Sequence, residues 1–232
     1  MMIRCFAILT AAASLLTPGV ADACDCGRIV ACEVLWTADA VFVGRAERVE
    51  LAEGHHYRAH LVVERCFRGE KLNNRVVIDT RGAEISCDAY TFSEGQRYLV
   101  FAVRGEQGEW RTPLCGGTQP LASAATDLEL VRGALRSRAP GSVSGFAFVI
   151  MSPYVYAQTG PPLAGVRLTL ESPSHRYTAT TDKSGNYRFE EIAVGTYTLR
   201  VDSPPGVAAI RSMELEVHPS ECVRHRFGTL PR

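Results

Sequence analysis

Thr181-Asp182-Lys183-Ser184-Gly185-Asn186-Tyr187-Arg188-Phe189 is the stretch that decides how the second half of this chain folds. Asp182 to Asn186 are turn residues, whose short polar side chains bond nearby backbone, and Gly185 accepts the positive φ angle of a hairpin turn. Outward from this turn a two-residue period recurs. Val166, Leu168 and Leu170 alternate with Arg167, Thr169 and Glu171; Tyr197, Leu199 and Val201 with Thr196, Thr198 and Arg200; Met213, Leu215 and Val217 with Glu214 and Glu216. Half-buried antiparallel strands produce this alternation, because successive side chains point to opposite faces of a sheet. The acidic turn lacks the repeated oxygen ligands of a calcium loop.

Going back along the chain, the pattern breaks at Arg136-Ser137-Arg138-Ala139-Pro140-Gly141, which reads as a linker over residues 136–141. Before it lie further segments of strand character: Ala40-Val41-Phe42-Val43-Gly44, the alternating Tyr57 to Val63, Val76-Val77-Ile78, and Tyr98 to Val103. Their spacing suits a small closed or nearly closed β-barrel. After Pro120 the period becomes helical, with Leu121, Ala125, Leu128, Val131 and Leu135 on one face and Asp127, Glu129 and Arg132 on the other. This predicts a helix packed on the barrel by its apolar stripe.

The N-terminus reads as a secretory leader over residues 1–23: Arg4 as the charged start, an apolar run from Cys5 through Leu16, and small residues at Ala21 and Ala23 before the cut. The run is too short to span a bilayer, and no later segment nears the roughly 20 apolar residues a transmembrane helix needs. The mature chain is expected to be secreted or periplasmic, beginning at Cys24-Asp25-Cys26. Lipid attachment at Cys24 is the rival end, although Ala21-Asp22-Ala23 lacks the large aliphatic and uncharged neighbours of such sites. With 25 basic and 25 acidic residues, nothing favours nucleic acid or an anionic membrane as partner. Seven cysteines remain after the leader, six of them before residue 116. Outside the cytoplasm such cysteines pair, and no Cys-x-x-Cys knuckles suggest a zinc site of the protein's own.

Several of these features form an ordered set. Cys24-x-Cys26, Phe42-Val43-Gly44, Cys66-Phe67-Arg68-Gly69, Ser86-Cys87, Tyr98-Leu99-Val100 and Thr112-Pro113-Leu114-Cys115 together resemble the netrin-type domain of tissue inhibitors of metalloproteinases, over residues 24–135. The resemblance implies a mainly β fold, an OB-type five-stranded barrel with flanking helices. It also implies disulfides from Cys24 to Cys87 and from Cys26 to Cys115. For a third pair Cys32 with Cys66 is preferred, while Cys222 stays open between Cys32, Cys66, a free thiol and another chain. Residues 142–232 carry a second resemblance. Gly141-Ser142-Val143-Ser144-Gly145, Leu163-Ala164-Gly165-Val166, the opening stretch and Gly195-Thr196-Tyr197-Thr198-Leu199 are similar to a carboxypeptidase regulatory-like domain, which implies a seven-stranded prealbumin-like β-sandwich without peptidase activity.

Function follows from these resemblances as expectation. A free Cys24 amine and its adjacent carbonyl oxygen form a five-membered chelate, and catalytic zinc in a metallopeptidase keeps one position open. The first resemblance therefore implies an inhibitory ridge of Cys24, Asp25 and Cys26, with Cys24 ligating a partner's zinc and Asp25 entering its specificity pocket. A noncatalytic module binding cell-surface or matrix components is the alternative, with Tyr154 and Tyr156 in the extended loop Met151–Pro162 as a binding edge. No cofactor is expected. An enzyme is not expected either, since the sequence has no His-Glu-x-x-His helix, Gly-x-Ser-x-Gly elbow or phosphate-binding glycine loop. His55, His56 and His60 fall in or beside a strand, and His218 and His225 read as solvated.

Overall fold

Ala40–Gly44 and Tyr98–Ala102 are apolar on both sides of their strands because both sides are covered. A computed structural model of the chain describes residue 26 and residues 29–52, 56–69, 72–81, 90–151 and 159–232. Its first unit contains β1 (Ala40–Ala52), β2 (His56–Arg68), β3 (Arg75–Arg81), β4 (Arg97–Arg104), β5 (Trp110–Arg111) and β6 (Gln119–Pro120), with helices α1 (Ala31–Val34) and α2 (Ala125–Ala134). Phe42, Ala46, Tyr98, Val100 and Ala102 point into one cluster with Leu61 and Ile78, the barrel interior. The alternate residues Val41, Val43, Leu99 and Phe101 point the other way, against Leu35 of the α1 turn and Val131 and Ala134 of α2. A strand buried on both faces reads as a run, not an alternation.

The hydrogen-bonded order closes on itself. β1 pairs with β2, β2 with β3, β3 with β5, β5 with β4, and β4 again with β1. β3 and β5 run parallel and the other ring pairs antiparallel, so the pairings of these five strands form a closed cycle. α2 is shorter than the apolar period suggested. Leu121–Ser123 form a 3₁₀ turn, and this tighter winding shifts the phase so that Ala124, not Ala125, is buried with Val131 and Ala134.

The second unit begins with β7 (Gly141–Ile150) and continues with β8 (Thr159–Pro162), β9 (Arg167–Glu171), β10 (Arg176–Thr180), β11 (Asn186–Ile192), β12 (Gly195–Val201), β13 (Met213–Val217) and β14 (Cys222–Thr229). One sheet runs β10-β9-β12-β13; the other runs β11-β7-β14, with β8 on the far part of β7. Two packed sheets make a β-sandwich of eight described strands, one more than expected, because the end of the extended loop is drawn in as β8. Leu168, Leu170, Tyr197, Leu199, Tyr187, Phe189 and Phe227 fill the space between the sheets, as the alternation requires. Gly185 does take a positive φ, 80°. Its turn is not a hairpin, however: β10 and β11 belong to different sheets, so Asp182–Asn186 carries the chain from one layer to the other.

Candidate functional site

Cys26 is joined to Cys115, their Cα atoms 5.2 Å apart, one of the two links that the first resemblance implies. Cys115 sits in the turn between β5 and β6, and buried hydroxyls hold that turn in place. Thr112 donates to the Phe101 carbonyl at 3.0 Å, and the Phe101 N–H donates to Thr118 Oγ1 at 3.0 Å. Gly117 has φ 83°, and a Cβ there would meet Val34 Cγ2 at 2.7 Å, so its lack of a side chain lets α1 lie against the turn. The start of α1 is capped from elsewhere in the unit: the Ala31 N–H donates to Asp127 Oδ1 at 3.1 Å, while Gln119 Nε2 donates to Asp127 Oδ2 at 2.6 Å. Cys26 and α1 are thus both tied to the barrel. The other ridge residues, Cys24 and Asp25, lie outside the described residues, as do Cys87 and the loop tyrosines Tyr154 and Tyr156.

The expected Cys32–Cys66 pair is not formed. Cys32 is bonded to Cys222, at the start of β14, across 190 residues of sequence. Strand geometry gives the reason. Phe67 packs into the helix-side cluster, so its neighbour Cys66 points away from α1 and remains an exposed free thiol. Cys32, buried on α1, faces the second unit instead.

Around this bond the two units meet through side chains that sequence reading had passed over. Trp36 donates from Nε1 to the Pro219 carbonyl at 3.1 Å, and its ring stacks on His218 with centroids 4.7 Å apart and planes 13° apart. Glu33 accepts Arg224 Nε at 2.9 Å. His218 is fixed from behind by buried Glu221, whose Oε2 lies 2.9 Å from Nδ1 and accepts the His218 backbone N–H at 2.8 Å. The turn carrying these groups holds Ser220 at φ 55°, and its Ser220 N–H donates to the Ala139 carbonyl. His225 is engaged elsewhere, edge-on to Phe227 at 4.6 Å, and burial holds its imidazole below the ordinary value. The only sequence signal for this seam was the unassigned Cys222.

His56 and His60 of the barrel each contact a carboxylate. His56 Nδ1 lies 3.1 Å from Asp79, which also faces Arg58, and His60 Nε2 lies 2.8 Å from Glu50. That contact from His60 lowers the Glu50 carboxyl below its usual range. Among the described residues no group of three or more His, Cys, Asp or Glu side chains is placed to hold a metal.

Sequence comparison bears on the sandwich. Residues 152–227 match the carboxypeptidase regulatory-like domain. The match takes in β8 to β13 and most of β14 but not β7, the strand at the centre of the second sheet. No curated protein matches the chain. Among solved structures, the TIE protein of Bacillus anthracis is 11% identical at TM-score 0.35, covering 84% of this chain and 35% of its own. The minor pilin of Streptococcus agalactiae is 10% identical at TM-score 0.33, covering 84% of both chains. A type II cohesin–X-dockerin complex of Acetivibrio cellulolyticus is 20% identical at TM-score 0.26, covering 38% of this chain and 56% of its own. The chain thus spans about a third of the first of these and just over half of the last. At these scores the likeness carries no functional inference.

Proposed function

We propose that this protein is a noncatalytic extracellular binding module in which a barrel and a regulatory-like sandwich are presented as one unit. The observation that carries this reading is the Cys32–Cys222 bond. Disulfides persist in oxidising compartments, which favours the cell surface or the space outside it. A bond between two folded units, reinforced by the Trp36–His218 stack, fixes how their outer faces are offered to a partner. Fixing that geometry in advance removes an ordering cost on binding and lets two weak contacts act together. The test uses the mature, oxidised chain on immobilised extracellular material from its own cells. Saturable binding that the Cys32→Ser/Cys222→Ser variant weakens by about tenfold supports the reading. Absence of binding by the native protein refutes it.

A second reading, inhibition of a zinc metalloendopeptidase, is favoured by the Cys26–Cys115 bond together with the closed barrel order. In this reading the Cys24 amine and carbonyl occupy the open position on the partner's zinc and Asp25 enters the adjacent pocket. A protein beginning at Cys24 then inhibits, and one carrying a single extra residue ahead of Cys24 does not, with the same thermal transition. Equal inhibition by both forms would remove the chelating mechanism.

A further inference from the structure

The outer face of the β11-β7-β14 sheet carries a groove, one of whose lining residues, Arg224, also reaches Glu33 at the seam. β7 runs down its centre, and strand register sets the walls. Ser144 is flanked by Arg188 of β11 and Arg224 of β14 in one row; Phe146 is flanked by Asn186 and Arg226 in the next. Directly paired residues project to the same face, so a small hydroxyl side chain lies on the floor between two arginines. The half-buried Phe146 stacks on Phe148, ring centroids 5.1 Å apart and planes 12° apart. The Arg226 guanidinium lies over both rings, at 5.8 and 5.7 Å. Ser144, Phe146, Arg188, Arg224 and Arg226 line one open cavity.

Charge on this face has an order to it. Arg188 spends its Nε on Glu190 at 2.7 Å, and Arg224 spends its Nε on Glu33 at 2.9 Å. In each ion pair the contact is through Nε, and a guanidinium has further N–H donors on its terminal Nη atoms, the fork that takes a carboxylate through two parallel hydrogen bonds. Asp182, the carboxylate on the rim, accepts the backbone N–H groups of Ser184 and Asn186, both at 2.8 Å, and is committed to its own turn. These hydrogen bonds, that from Asn186 foremost, hold its pKa down.

We propose that this groove binds a polysaccharide bearing uronic-acid carboxylates. The inference rests on the extracellular binding reading and names the ligand class and the site. An aromatic ring beside hydroxyl, carboxamide and guanidinium groups matches a sugar ring, with its apolar C–H face, its hydroxyls and its planar carboxylate. An acidic peptide is the weaker fit. Both backbone edges of β7 are already taken by β11 and β14, so an extended peptide lying over this face gains no main-chain hydrogen bonds.

The test titrates the full mature, oxidised chain with polygalacturonate, using dextran as the neutral control and poly-glutamate as the acidic-peptide arm. Binding to polygalacturonate, and not to dextran, is expected to weaken by about tenfold in Arg226→Gln, the loss of one charge-assisted contact, and by a similar factor in Phe146→Ala. Arg211→Gln, an exposed loop residue that does not line the groove, leaves it unchanged. Arg226 is exposed, so its substitution also controls for any loss of fold in Phe146→Ala, which circular dichroism checks. The proposal is overturned if polygalacturonate does not bind, if Arg211→Gln weakens it as much as Arg226→Gln, or if poly-glutamate binds as tightly with the same sensitivities. Adherence to extracellular material that survives in Arg226→Gln removes this groove and leaves the binding reading standing. Lack of adherence by the native chain removes that reading instead.

Discussion

Replacing both Cys32 and Cys222 by alanine tests whether the seam is a structural element or an incidental contact. In the chain-entropy treatment, closing a loop across the 190 residues between them is worth about 5.3 kcal/mol. The Cys26–Cys115 bond shortens the remaining path to roughly 113 residues, which lowers the figure to about 4.8 kcal/mol. Measured effects commonly fall at about 2–4 kcal/mol, and that is the expected loss if both units unfold together. The noncovalent contacts are smaller. The Trp36–Pro219 hydrogen bond contributes about 1 kcal/mol and the stack on His218 about 0.5–1.5 kcal/mol, while the Glu33–Arg224 pair, exposed on its arginine side, adds at most about 1 kcal/mol. Together they amount to at most about 3.5 kcal/mol, below the chain-entropy figure for the crosslink and comparable to its usual measured worth, so its removal takes away a large share of what holds the seam and is expected to open it before either core melts. The chain has two tryptophans, and Trp36 is the one at the seam. In a Trp110→Phe background its emission reports the opening directly. Urea titration followed by Trp36 emission and by far-ultraviolet circular dichroism should give coincident curves for the crosslinked protein. In the double variant, the emission change should come at lower urea. Coincident and unshifted curves in both proteins would show that the bond stabilises nothing and that the units are held together by other means.

Two further perturbations separate local causes. Gly145→Ala would put a Cβ 1.7 Å from the His225 carbonyl oxygen on β14 and 2.6 Å from the Tyr187 hydroxyl, so the central pair of the outer sheet must part; a loss of about 3 kcal/mol or more is expected in thermal melts. Gly165→Ala, with φ 71° and open space around it, should cost only about 1–2 kcal/mol of backbone strain, and equal losses would refute the assignment of the Gly145 effect to collision. Acidification acts through His225: its folded pKa lies below the ordinary 6.5, so the unfolded chain takes the proton first, and stability present above pH 6.5 is lost as the pH falls toward the folded value. A second loss begins below 3.8, where the depressed Asp182 contributes in the same direction. The melting temperature of His225→Gln should therefore depend less on pH between about 7.5 and 5, and an unchanged dependence would move the effect to another histidine.

The second unit was legible because its strands are covered on one face and wet on the other. Tyr197, Leu199 and Val201 fall in the core and Arg200 outside it, as a period of two demands. The barrel was harder. β1 and β4 gave runs that could be assigned to strands but not to faces, since the interior takes one set of side chains and the helices take the other. Ring closure depends on β5, two residues long, which no periodicity can reveal. The phase of α2 slipped by one residue because the 3₁₀ turn before it has no signature in the apolar spacing. At the turn of Asp182–Asn186, sequence gave the backbone conformation correctly. It could not show that the flanking strands enter different sheets, because that is decided by what each strand packs against.

The seam lay beyond sequence reading for a different reason. The clustering of six mature cysteines before residue 116 suggested a stapled first unit beside an independent second one, with Cys222 left over. Pairing by proximity in sequence then drew Cys32 toward Cys66. That choice neglected the face from which each thiol projects: Cys66 is on a barrel strand, directed away from the helices, whereas Cys32 is on a four-residue helix held between barrel and sandwich. Four residues are too few to stand as a helix unaided, so α1 exists through Asp127 at its start and the packing of Leu35 and Ala31 behind it. Its position is therefore a product of the folded barrel, and the native arrangement of both units is what brings Cys222 to Cys32. Native cysteine pairing depends here on where the barrel holds α1, which makes the crosslink a marker of correct assembly as well as a clamp upon it.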